Sequence, residues 1–390
     1  MRTIYRKLVI MPKWRNIFVT GGAGYIGSHC IVELQNAGYN VIAIDNFANS
    51  VSSGATGEDG GDEQAPSLRR VQQITGKSVS FYKADLLDKD KLIYIFEKHQ
   101  IDCVIHFAAM KAVGESMQIP LFYYKNNIIG AINLLEVMKQ FNCYQLVFSS
   151  SCTVYGNPQL LPITETHPTG NVTNVYGRTK LFIEQMLRDL VHAEKNWNII
   201  SLRYFNPVGA HPSGLIGEDP TKAFTNLMPY IAQVAIGNKP HLTIFGGDYN
   251  TVDGTGVRDY IHVMDLASGH VAALEKLQKT HLKLQAYNLG TGRGVSVLEL
   301  VKTFESVTKT KVPYNVEDRR EGDIVSMYAN TELAEKELEW KAKFTIEQMC
   351  EDFWRWQTMN PNGYRPLVSP TKITNGIQTS AIKTNGVNGH

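Results

Sequence analysis

Residues 17–27 read I-F-V-T-G-G-A-G-Y-I-G, a short apolar run that breaks into glycines and then takes on a helical period. The run at 17–20 predicts a buried strand, and the spacing of apolar residues predicts a helix over 26–37 with a glycine after it. The loop between them has the pattern G-x-x-G-x-x-G, formed by Gly21, Gly24 and Gly27. Such glycines permit a tight turn and bring the free N–H groups of a helix N-terminus close to a pyrophosphate. A glycine cluster alone is often only a turn, but its place between a strand and a helix favours dinucleotide binding.

The next predicted strand, at 41–45, ends on Asp45 and completes a βαβ unit. A carboxylate at this position can accept a hydrogen bond from the adenosine 2′-hydroxyl, and it repels a 2′-phosphate. Asp45 therefore favours NAD over NADP as the cofactor. The alternative is that Asp45 is an ordinary turn residue.

The composition is ordinary for a globular protein. The 390 residues are 43% hydrophobic and 19% charged, and the length suggests two or three domains. The 39 basic and 37 acidic residues are spread along the chain, which argues against nucleic acid as a principal partner. No apolar stretch reaches the roughly 18 residues that a membrane-spanning helix needs, so no membrane partner is expected.

The cysteines indicate reduced thiols in a cytoplasmic protein. Their number is odd, they lie far apart and no C-x-x-C pair occurs, so neither a disulfide framework nor a structural zinc site is indicated, and no metal is expected. The five are Cys30, Cys103, Cys143, Cys152 and Cys350. Residues 1–15 are basic and contain no acid, but their apolar core at 8–11 is too short for a signal peptide. They are expected to be an N-terminal extension, with a transit peptide as the alternative.

Short apolar strands alternate with amphipathic helices from residue 16 onward, which predicts an α/β fold with a doubly wound parallel sheet of the Rossmann type. The predicted strands are 17–20, 41–45, 79–83, 103–107, 145–149 and 199–204, and the predicted helices are 26–37, 67–75, 89–99, 120–140 and 176–194. Residues 49–67 are rich in Gly, Ser, Asp and Glu and predict a solvated surface loop.

After about residue 204 the alternation gives way to Pro- and Gly-rich pieces, which predicts a smaller C-terminal α/β substrate domain with many loops. The predicted division is an extension at 1–15, a cofactor-binding domain at 16–205, a substrate domain at 206–363 with an interwoven boundary, and a disordered tail at 364–390.

A possible chemical site begins at residue 176, where Y-G-R-T-K opens an amphipathic helix and places Tyr176 and Lys180 on one face. A lysine cation beside a tyrosine lowers the phenol pKa toward neutrality and suits it to acid–base work at a hydroxyl. Such a pair is common on helix surfaces, and simple packing is its ordinary interpretation. Upstream, however, F-S-S-S-C-T-V-Y-G at 148–156 places Ser151 and Thr153 at a strand's carboxyl end, where open α/β sheets bind ligands.

At this point the residues resemble the extended short-chain dehydrogenase/reductase family and, within it, the UDP-glucose (UDP-galactose) 4-epimerases. The resemblance runs from about residue 16 to 363. The motifs that match are T-G-G-A-G-Y-I-G-S-H, D-N-F, H-F-A-A-M-K-A-V-G-E-S, F-S-S-S-C-T-V-Y-G, Y-G-R-T-K, L-R-Y-F-N-P-V-G-A-H, N-L-M-P-Y, D-G-T-G-V-R-D-Y-I-H-V-M-D-L, Y-N-L-G-T-G and R-R-E-G-D.

The resemblance implies roles for individual residues. The implied catalytic set is Tyr176, Lys180, Ser151 and Thr153. The implied NAD contacts are Gly21, Gly24, Tyr25, Ile26, Gly27, Asp45, Asn46, Asp85, Leu86, Phe107, Ala108, Ala109, Lys111, Asn126 or Asn127, Tyr176, Lys180, Tyr204 and Phe205. The implied UDP-sugar contacts are Lys111, Ser151, Tyr176, Asn206, Asn226, Leu227, Thr243, Ile244, Phe245, Arg258, Tyr260, Arg320, Asp323 and Met327. Two arginines from separate segments suit a diphosphate, although for Arg258 or Arg320 taken alone a surface salt bridge is the favoured interpretation.

The implied activity is the reversible 4-epimerisation of UDP-galactose and UDP-glucose in galactose metabolism. Tyr176 would remove the 4-hydroxyl proton, tightly bound NAD would take the C4 hydride, and the 4-keto sugar would rotate and receive the hydride on its other face. The resemblance also implies a homodimer.

Two other functions are compatible with the fold. A nucleotide-sugar dehydratase or decarboxylase needs further acid and base groups, and dehydratases have T-D-E where this chain has Ser151, Cys152 and Thr153. A non-catalytic nucleotide-sugar or NAD-binding protein would have no use for the Tyr176 and Lys180 pair.

Several positions depart from the family pattern. Met327 stands where side-chain size decides whether a 2-acetamido group fits, and it predicts weak or no acceptance of N-acetylated sugars. Residues 222–225 read K-A-F-T in place of Gly-Ile-Pro-Asn, Val175 replaces a proline, and Cys152 replaces an alanine, which predicts a packed small side chain.

Overall fold

The computed structural model describes residues 14–52, 65–221, 226–320 and 323–365. The strands are β1 (Asn16–Thr20), β2 (Asn40–Asp45), β3 (Ser80–Lys83), β4 (Cys103–His106), β5 (Gln145–Ser151), β6 (Asn198–Tyr204), β7 (Asn206–Val208), β8 (Leu242–Phe245), β9 (Val257–Arg258), β10 (Tyr260–His262), β11 (Leu284–Leu289), β12 (Val295–Ser296), β13 (Tyr314–Glu317) and β14 (Ser326–Met327). The α-helices are α1 (Tyr25–Asn36), α2 (Pro66–Thr75), α3 (Lys89–Lys98), α4 (Val113–Gln118), α5 (Pro120–Tyr124), α6 (Gly130–Gln140), α7 (Val175–Ala193), α8 (Leu227–Ala235), α9 (Val263–Lys279), α10 (Val297–Thr308), α11 (Glu332–Leu338) and α12 (Ile346–Met359).

A seven-stranded parallel sheet with the order β11-β6-β5-β4-β1-β2-β3 forms the centre of the fold. The predicted doubly wound α/β fold is confirmed, and all six predicted strands are present within two residues of their expected bounds. The residues of β1, β2, β4, β5 and β6 are nearly all buried because helices cover both faces, as continuous apolar strands require, whereas those of the edge strand β3 are half-buried or exposed. In register, Thr20 lies opposite Ile44 on β2 and His106 on β4, so the glycine loop leaves the sheet where both neighbouring strands end.

Two hydrophobic clusters fill the space on the two faces of this sheet. On one face, α1 and α9 pack against each other and against β1, β2 and β6, and α2 packs beside α1. On the other face, α3, α6 and α7 cover β4 and β5. Four of the five predicted helices match α1, α2, α3 and α7 to within one residue.

The predicted helix over 120–140 is right in extent but wrong as a uniform α-helix. It consists of α5, a π-helical turn at Lys125–Ile129, and α6. The side chain of Asn127 inside this turn is buried and binds the backbone of Met110 through both its amide oxygen and its amide nitrogen. The neighbouring Asn126 side chain donates to the Asn127 amide oxygen at 2.9 Å.

The seventh strand, β11, comes from the part of the chain that the sequence assigns to the substrate domain, as does α9. The chain therefore returns to the large sheet after leaving it at β6. The remaining strands form small sheets of two or three strands, β7 with β10, β8 with β13, and β9 between β12 and β14. The division of the chain into domains stays a prediction.

Several expectations lie outside the described residues. These are most of the N-terminal extension, most of the 49–67 loop, residues 222–225 and the tail from 366 onward. Tyr364 and Arg365, the first residues of the predicted tail, are described, and both bind the carboxylate of Asp219.

Candidate active site

A cleft follows the carboxyl ends of β1, β2, β4, β5 and β6, and all the residues that the family resemblance assigns to NAD line it. Of the two asparagines considered, Asn126 lines the cleft, whereas the side chain of Asn127 forms hydrogen bonds with Met110 and Thr179 inside the protein. The cleft thus gathers residues from widely separated segments of the sequence at one edge of the sheet, as expected for an open α/β fold.

The glycine loop has the shape of a cradle in which side chains would not fit. Gly21 adopts a left-handed φ of +69°, and a Cβ on it would lie 2.9 Å from the backbone nitrogen of Ala108. A Cβ on Gly27 would lie 2.2 Å from the carbonyl oxygen of Gly21. Helix α1 follows at once, and Gly24 has no side chain with which to cap it. The open N–H groups and the positive end of the helix dipole therefore suit a diphosphate, and the residues fit a dinucleotide.

Asp45 lies at the end of β2 and lines the same cleft. One carboxylate oxygen accepts from the Ala23 N–H at 3.1 Å, and the other accepts from the Phe47 N–H at 2.9 Å and the Ser50 hydroxyl at 2.8 Å. Burial raises the pKa of Asp45, and these hydrogen bonds act against that rise. The bond from Phe47 is a local contact, as expected if Asp45 were only an ordinary turn residue. The bond from Ala23 connects Asp45 to the glycine loop.

The Tyr176 and Lys180 pair lies on the first turns of α7, which Asn174 caps by accepting from the Gly177 N–H at 2.8 Å. Lys180 is 2% exposed, and its Nζ donates to the Ser149 carbonyl at 2.6 Å. That ammonium lies 6.0 Å from the centre of the Tyr176 ring. Ser151 at the end of β5 accepts from the Thr153 N–H at 3.2 Å, and the buried Thr153 hydroxyl has no hydrogen-bond partner among the described residues.

The protein's own residues do not lower the pKa of the Tyr176 phenol. Burial raises it to about 12, and a hydrogen bond with Ser151 opposes that rise only in part. Burial also lowers the pKa of Lys180 to about 7, against the influence of Glu184. The prediction that Lys180 brings the phenol close to neutrality is therefore wrong for the residues alone, because burial disfavours both charged forms.

The residues expected to contact UDP-sugar fall into two groups. Asn206 and Asn226 line the cleft, as do Lys111, Ser151 and Tyr176. The others lie on neighbouring elements outside its described lining: Leu227, Thr243, Ile244, Phe245, Arg258, Tyr260, Arg320, Asp323 and Met327.

The structure also shows what these outer residues contact. The Arg320 guanidinium lies 4.6 Å from the centre of the Phe245 ring and forms a 3.0 Å ion pair with Asp323. Three predicted residues from two segments thus form one small group. Within it, Arg320 forms a surface salt bridge, which is the alternative to diphosphate binding. Met327 is 3% exposed and belongs to the same buried cluster as Cys152 and Phe205, which agrees with the expected packing of Cys152.

Sequence reasoning missed several residues that line the cleft, above all Glu218, Asp219 and Tyr364. Glu218 accepts from Lys111 Nζ at 3.0 Å and from Asn226 Nδ2 at 2.9 Å, so it joins two predicted ligand contacts. The acidic pair in G-E-D-P at 217–220 was a usable signal, since two adjacent carboxylates stand between predicted ligand segments. Tyr364 lies 145 residues after Asp219 in the sequence, and no local pattern predicts its place in the cleft.

Among the described residues, no group of three or more His, Cys, Asp or Glu side chains is arranged to hold a metal ion. No helix in the described ranges is long and apolar enough to cross a membrane. All five cysteines are buried free thiols.

Comparison with known proteins places this site in a family. Residues 18–353 match the family model described as GDP-mannose 4,6 dehydratase. A UDP-glucose 4-epimerase of Drosophila melanogaster is 56% identical over 349 residues, which are 89% of this chain and 98% of the relative. The chain belongs to the UDP-glucose 4-epimerase family, within the NAD-dependent epimerase/dehydratases (extended short-chain dehydrogenase/reductases).

Two further members of the UDP-glucose 4-epimerase family support this assignment. The enzyme of Bacillus subtilis (strain 168) is 55% identical over 349 residues, covering 90% of this chain and 98% of the relative. The crystal structure of UDP-glucose 4-epimerase from Bifidobacterium longum in complex with NAD+ and UDP is 50% identical, with a TM-score of 0.83, and the match covers 89% of this chain and 99% of that one. The likeness therefore extends through both the large sheet and the smaller C-terminal elements.

Proposed function

We propose that this protein interconverts UDP-glucose and UDP-galactose with tightly bound NAD. The observation that supports this most directly is the cleft, in which the glycine cradle, Tyr176, Lys180 and Ser151 meet at the carboxyl ends of the strands. They do so in a chain that is 55–56% identical to UDP-glucose 4-epimerases over 349 aligned residues.

The residues of the chain have separable tasks in this reaction. Tyr176 removes the proton of the sugar 4-hydroxyl and later returns it, while the hydroxyls of Ser151 and Thr153 bind the same oxygen. The free hydroxyl of Thr153 is available for that bond. When bound, NAD would supply the acceptor and donor of the C4 hydride, and the positive charge of its oxidised ring would favour the ionised phenol that burial alone disfavours. Lys180 is held by the Ser149 carbonyl with its Nζ 6.0 Å from the centre of the Tyr176 ring, where its charged form favours the phenolate.

The two ends of the substrate are held differently. Asn206, Asn226, Phe245, Arg258 and Arg320 bind the UDP portion, where guanidinium groups suit the diphosphate. The hexose must turn over between the two hydride transfers, so it is held loosely. This division agrees with the position of Arg258, Arg320 and Asp323 outside the described lining of the cofactor cleft.

The deciding experiment incubates the purified protein with UDP-galactose and no added NAD. UDP-glucose formation is followed together with the absorbance of reduced nicotinamide. We expect product without added cofactor, because the same NAD is reduced and reoxidised on one substrate molecule. Binding without product would indicate a non-catalytic nucleotide-sugar-binding protein, and loss of the 6-hydroxyl would indicate a dehydratase. An apo preparation that needs a continuous supply of NAD would contradict the retained cofactor.

Met327 is proposed to limit the space beside C2 of the sugar. It is buried against Cys152 and Phe205, so a smaller side chain there leaves room in an otherwise filled cluster. We expect Met327→Cys to raise the kcat/KM for UDP-N-acetylglucosamine relative to UDP-galactose by about tenfold, the usual effect of a small change in pocket size. Met349→Cys, at a buried methionine in a different core cluster, is the control. An unchanged ratio, or high activity of the wild type on the acetylated sugar, would refute the proposed limit.

The protein is further proposed to form a homodimer through the surface made by α4, α5, the π turn, α6 and α7. Large apolar side chains are exposed there: Met117, Ile119, Leu121, Phe122, Ile129, Ile132 and Phe182. Tyr124 and Phe182 stack at 6.2 Å, which joins α5 to α7 in one patch. A contiguous apolar patch of this kind usually marks an interface. A second copy of the chain is its proposed occupant.

We expect Leu121→Glu to convert the dimer to a monomer in sedimentation velocity. Leu121 is 80% exposed in one chain, and the charge of a glutamate at this position would be buried in the dimer. Leu160→Glu, at a leucine that is 74% exposed in a loop, should leave the dimer intact. A wild-type protein that sediments with the mass of one chain would refute the proposed dimer.

We also propose a cytoplasmic location, which the five free cysteines support. Recovery of the protein in an organelle or secreted fraction would contradict it.

A further inference from the structure

Asp259 lies between two residues of the proposed substrate group, yet its own side chain cannot reach a ligand because the residue is 0% exposed. Its carboxylate instead receives four hydrogen bonds. One oxygen accepts from the Thr291 N–H at 2.8 Å and the Thr291 hydroxyl at 2.6 Å. The other accepts from the Gly292 N–H at 3.0 Å and the Ala329 N–H at 3.1 Å. The loops after β11 and after β14 are thereby tied to one side chain.

The surroundings of this carboxylate leave no space for another group. A Cβ on Gly290 would lie 2.5 Å from a carboxylate oxygen of Asp259 and 2.9 Å from the Ala329 side chain. Burial raises the pKa of Asp259, and the bonds from Thr291, Ala329 and Gly292 act in the opposite direction. Three of the four donors are backbone N–H groups. An asparagine at this position would replace one carboxylate oxygen with an amide nitrogen, which is itself a donor and cannot accept these hydrogen bonds.

The backbone of Asp259 binds two more segments of the site. Its N–H donates to the Met327 carbonyl at 3.0 Å, and its carbonyl accepts from both the backbone N–H of Asn206 at 2.9 Å and the Asn206 side chain at 3.0 Å. Arg258 and Tyr260 are its neighbours in sequence. Four residues of the proposed substrate group, which come from three segments, therefore depend on the position of this one residue.

We propose that Asp259 is a positioning residue for substrate binding, which holds Asn206, Arg258 and Met327 in register around the UDP-sugar. The inference rests on the proposed function for the identity of the ligand. Asp259 acts through its neighbours and not by contact with the substrate. Loss of its charge should therefore weaken nucleotide binding and leave the cofactor cleft unaffected.

A matched residue separates this role from a contribution to stability. Asp265 is also a buried carboxylate, 2% exposed, and accepts from two backbone N–H groups, those of Lys343 and Phe344, both at 2.9 Å. Asp265→Asn should lower thermal stability in the same way as Asp259→Asn. It does not hold any residue of the proposed substrate group.

The test measures UDP binding by calorimetry, the KM for UDP-galactose and the NAD content of the purified protein. We expect Asp259→Asn to raise the Kd of UDP and the KM by about tenfold or more, the usual effect of losing charge-assisted hydrogen bonds. Its NAD content should stay at the wild-type level. Thr291→Val, which removes only the hydroxyl donor, should raise both constants by about threefold. Asp265→Asn should leave them within about twofold of wild type.

The proposal fails if both Asp259→Asn and Thr291→Val bind UDP like the wild type, or if Asp265→Asn weakens binding as much as they do. If Asp259→Asn does not fold, the proposal is tested by comparing the UDP affinity of Thr291→Val with that of Asp265→Asn. A wild type that binds UDP but does not convert UDP-galactose would overturn the proposed function, while UDP binding still tests Asp259. A wild type that does not bind UDP overturns both.

Discussion

Tyr176→Phe is expected to lower the turnover of UDP-galactose by roughly two orders of magnitude or more, the usual contribution of a general acid–base group. The phenol is the titratable group that lies in the cleft beside Ser151 and Lys180, at the end of β5. Phenylalanine keeps the ring and its packing but has no proton to exchange with the sugar hydroxyl. NAD content, UDP binding and thermal stability should change little.

The measurement is single-turnover conversion of UDP-galactose, with the NAD content determined on the same sample. Tyr39→Phe is the control, since it also removes a phenol hydroxyl, one that accepts a hydrogen bond from Gln278 and does not line the cleft. Near-wild-type turnover of Tyr176→Phe would exclude the proposed mechanism. Equal losses in both variants would point to a general effect on folding.

The cofactor side of the site could be predicted from sequence because its signals are local. Gly21, Gly24 and Gly27 lie within seven residues, and the strand and helix around them follow from hydrophobic period alone. Tyr176 and Lys180 are likewise one helical turn apart. Short-range spacing fixes which face such residues share, and the sheet topology then brings both groups to one edge.

What sequence could not predict depends on contacts between distant segments. The strand β11 lies in the large sheet and follows α9, which packs against α1, a contact between distant segments. The glycines at 290, 292 and 294 mark the end of the stretch at 284–289, but they do not indicate which sheet it joins. The choice between Asn126 and Asn127 required the hydrogen bonds of Asn127 to Met110 and Thr179, which join distant segments. The raised pKa of Tyr176 could not be predicted either. It results from the burial of the phenol, and the sequence spacing to Lys180 carries no information about burial.

The opening glycine stretch leads to the second large effect, which we expect from Gly27→Ala. A methyl group at this position would lie 2.2 Å from the Gly21 carbonyl oxygen and 2.9 Å from the Gly22 Cα. Both neighbours are backbone atoms, so no side chain can rotate away. Helix α1 would have to move from the loop, and the N–H groups that face the cofactor would move with it.

We expect Gly27→Ala to purify with little or no NAD, to lose UDP-galactose turnover in proportion, and to unfold at lower temperature, since overpacking of this kind costs about 1–3 kcal/mol. The 260/280 nm absorbance ratio, extraction of nucleotide and a thermal melt measure the three effects. Gly114→Ala is the control, because a Cβ there has nothing within 4 Å and should be tolerated. If Gly27→Ala retains NAD and activity at wild-type levels, the close approach of α1 to its loop is not what holds the cofactor, and the retention of NAD through the catalytic cycle must depend on the residues at the ends of β2 and β4 instead.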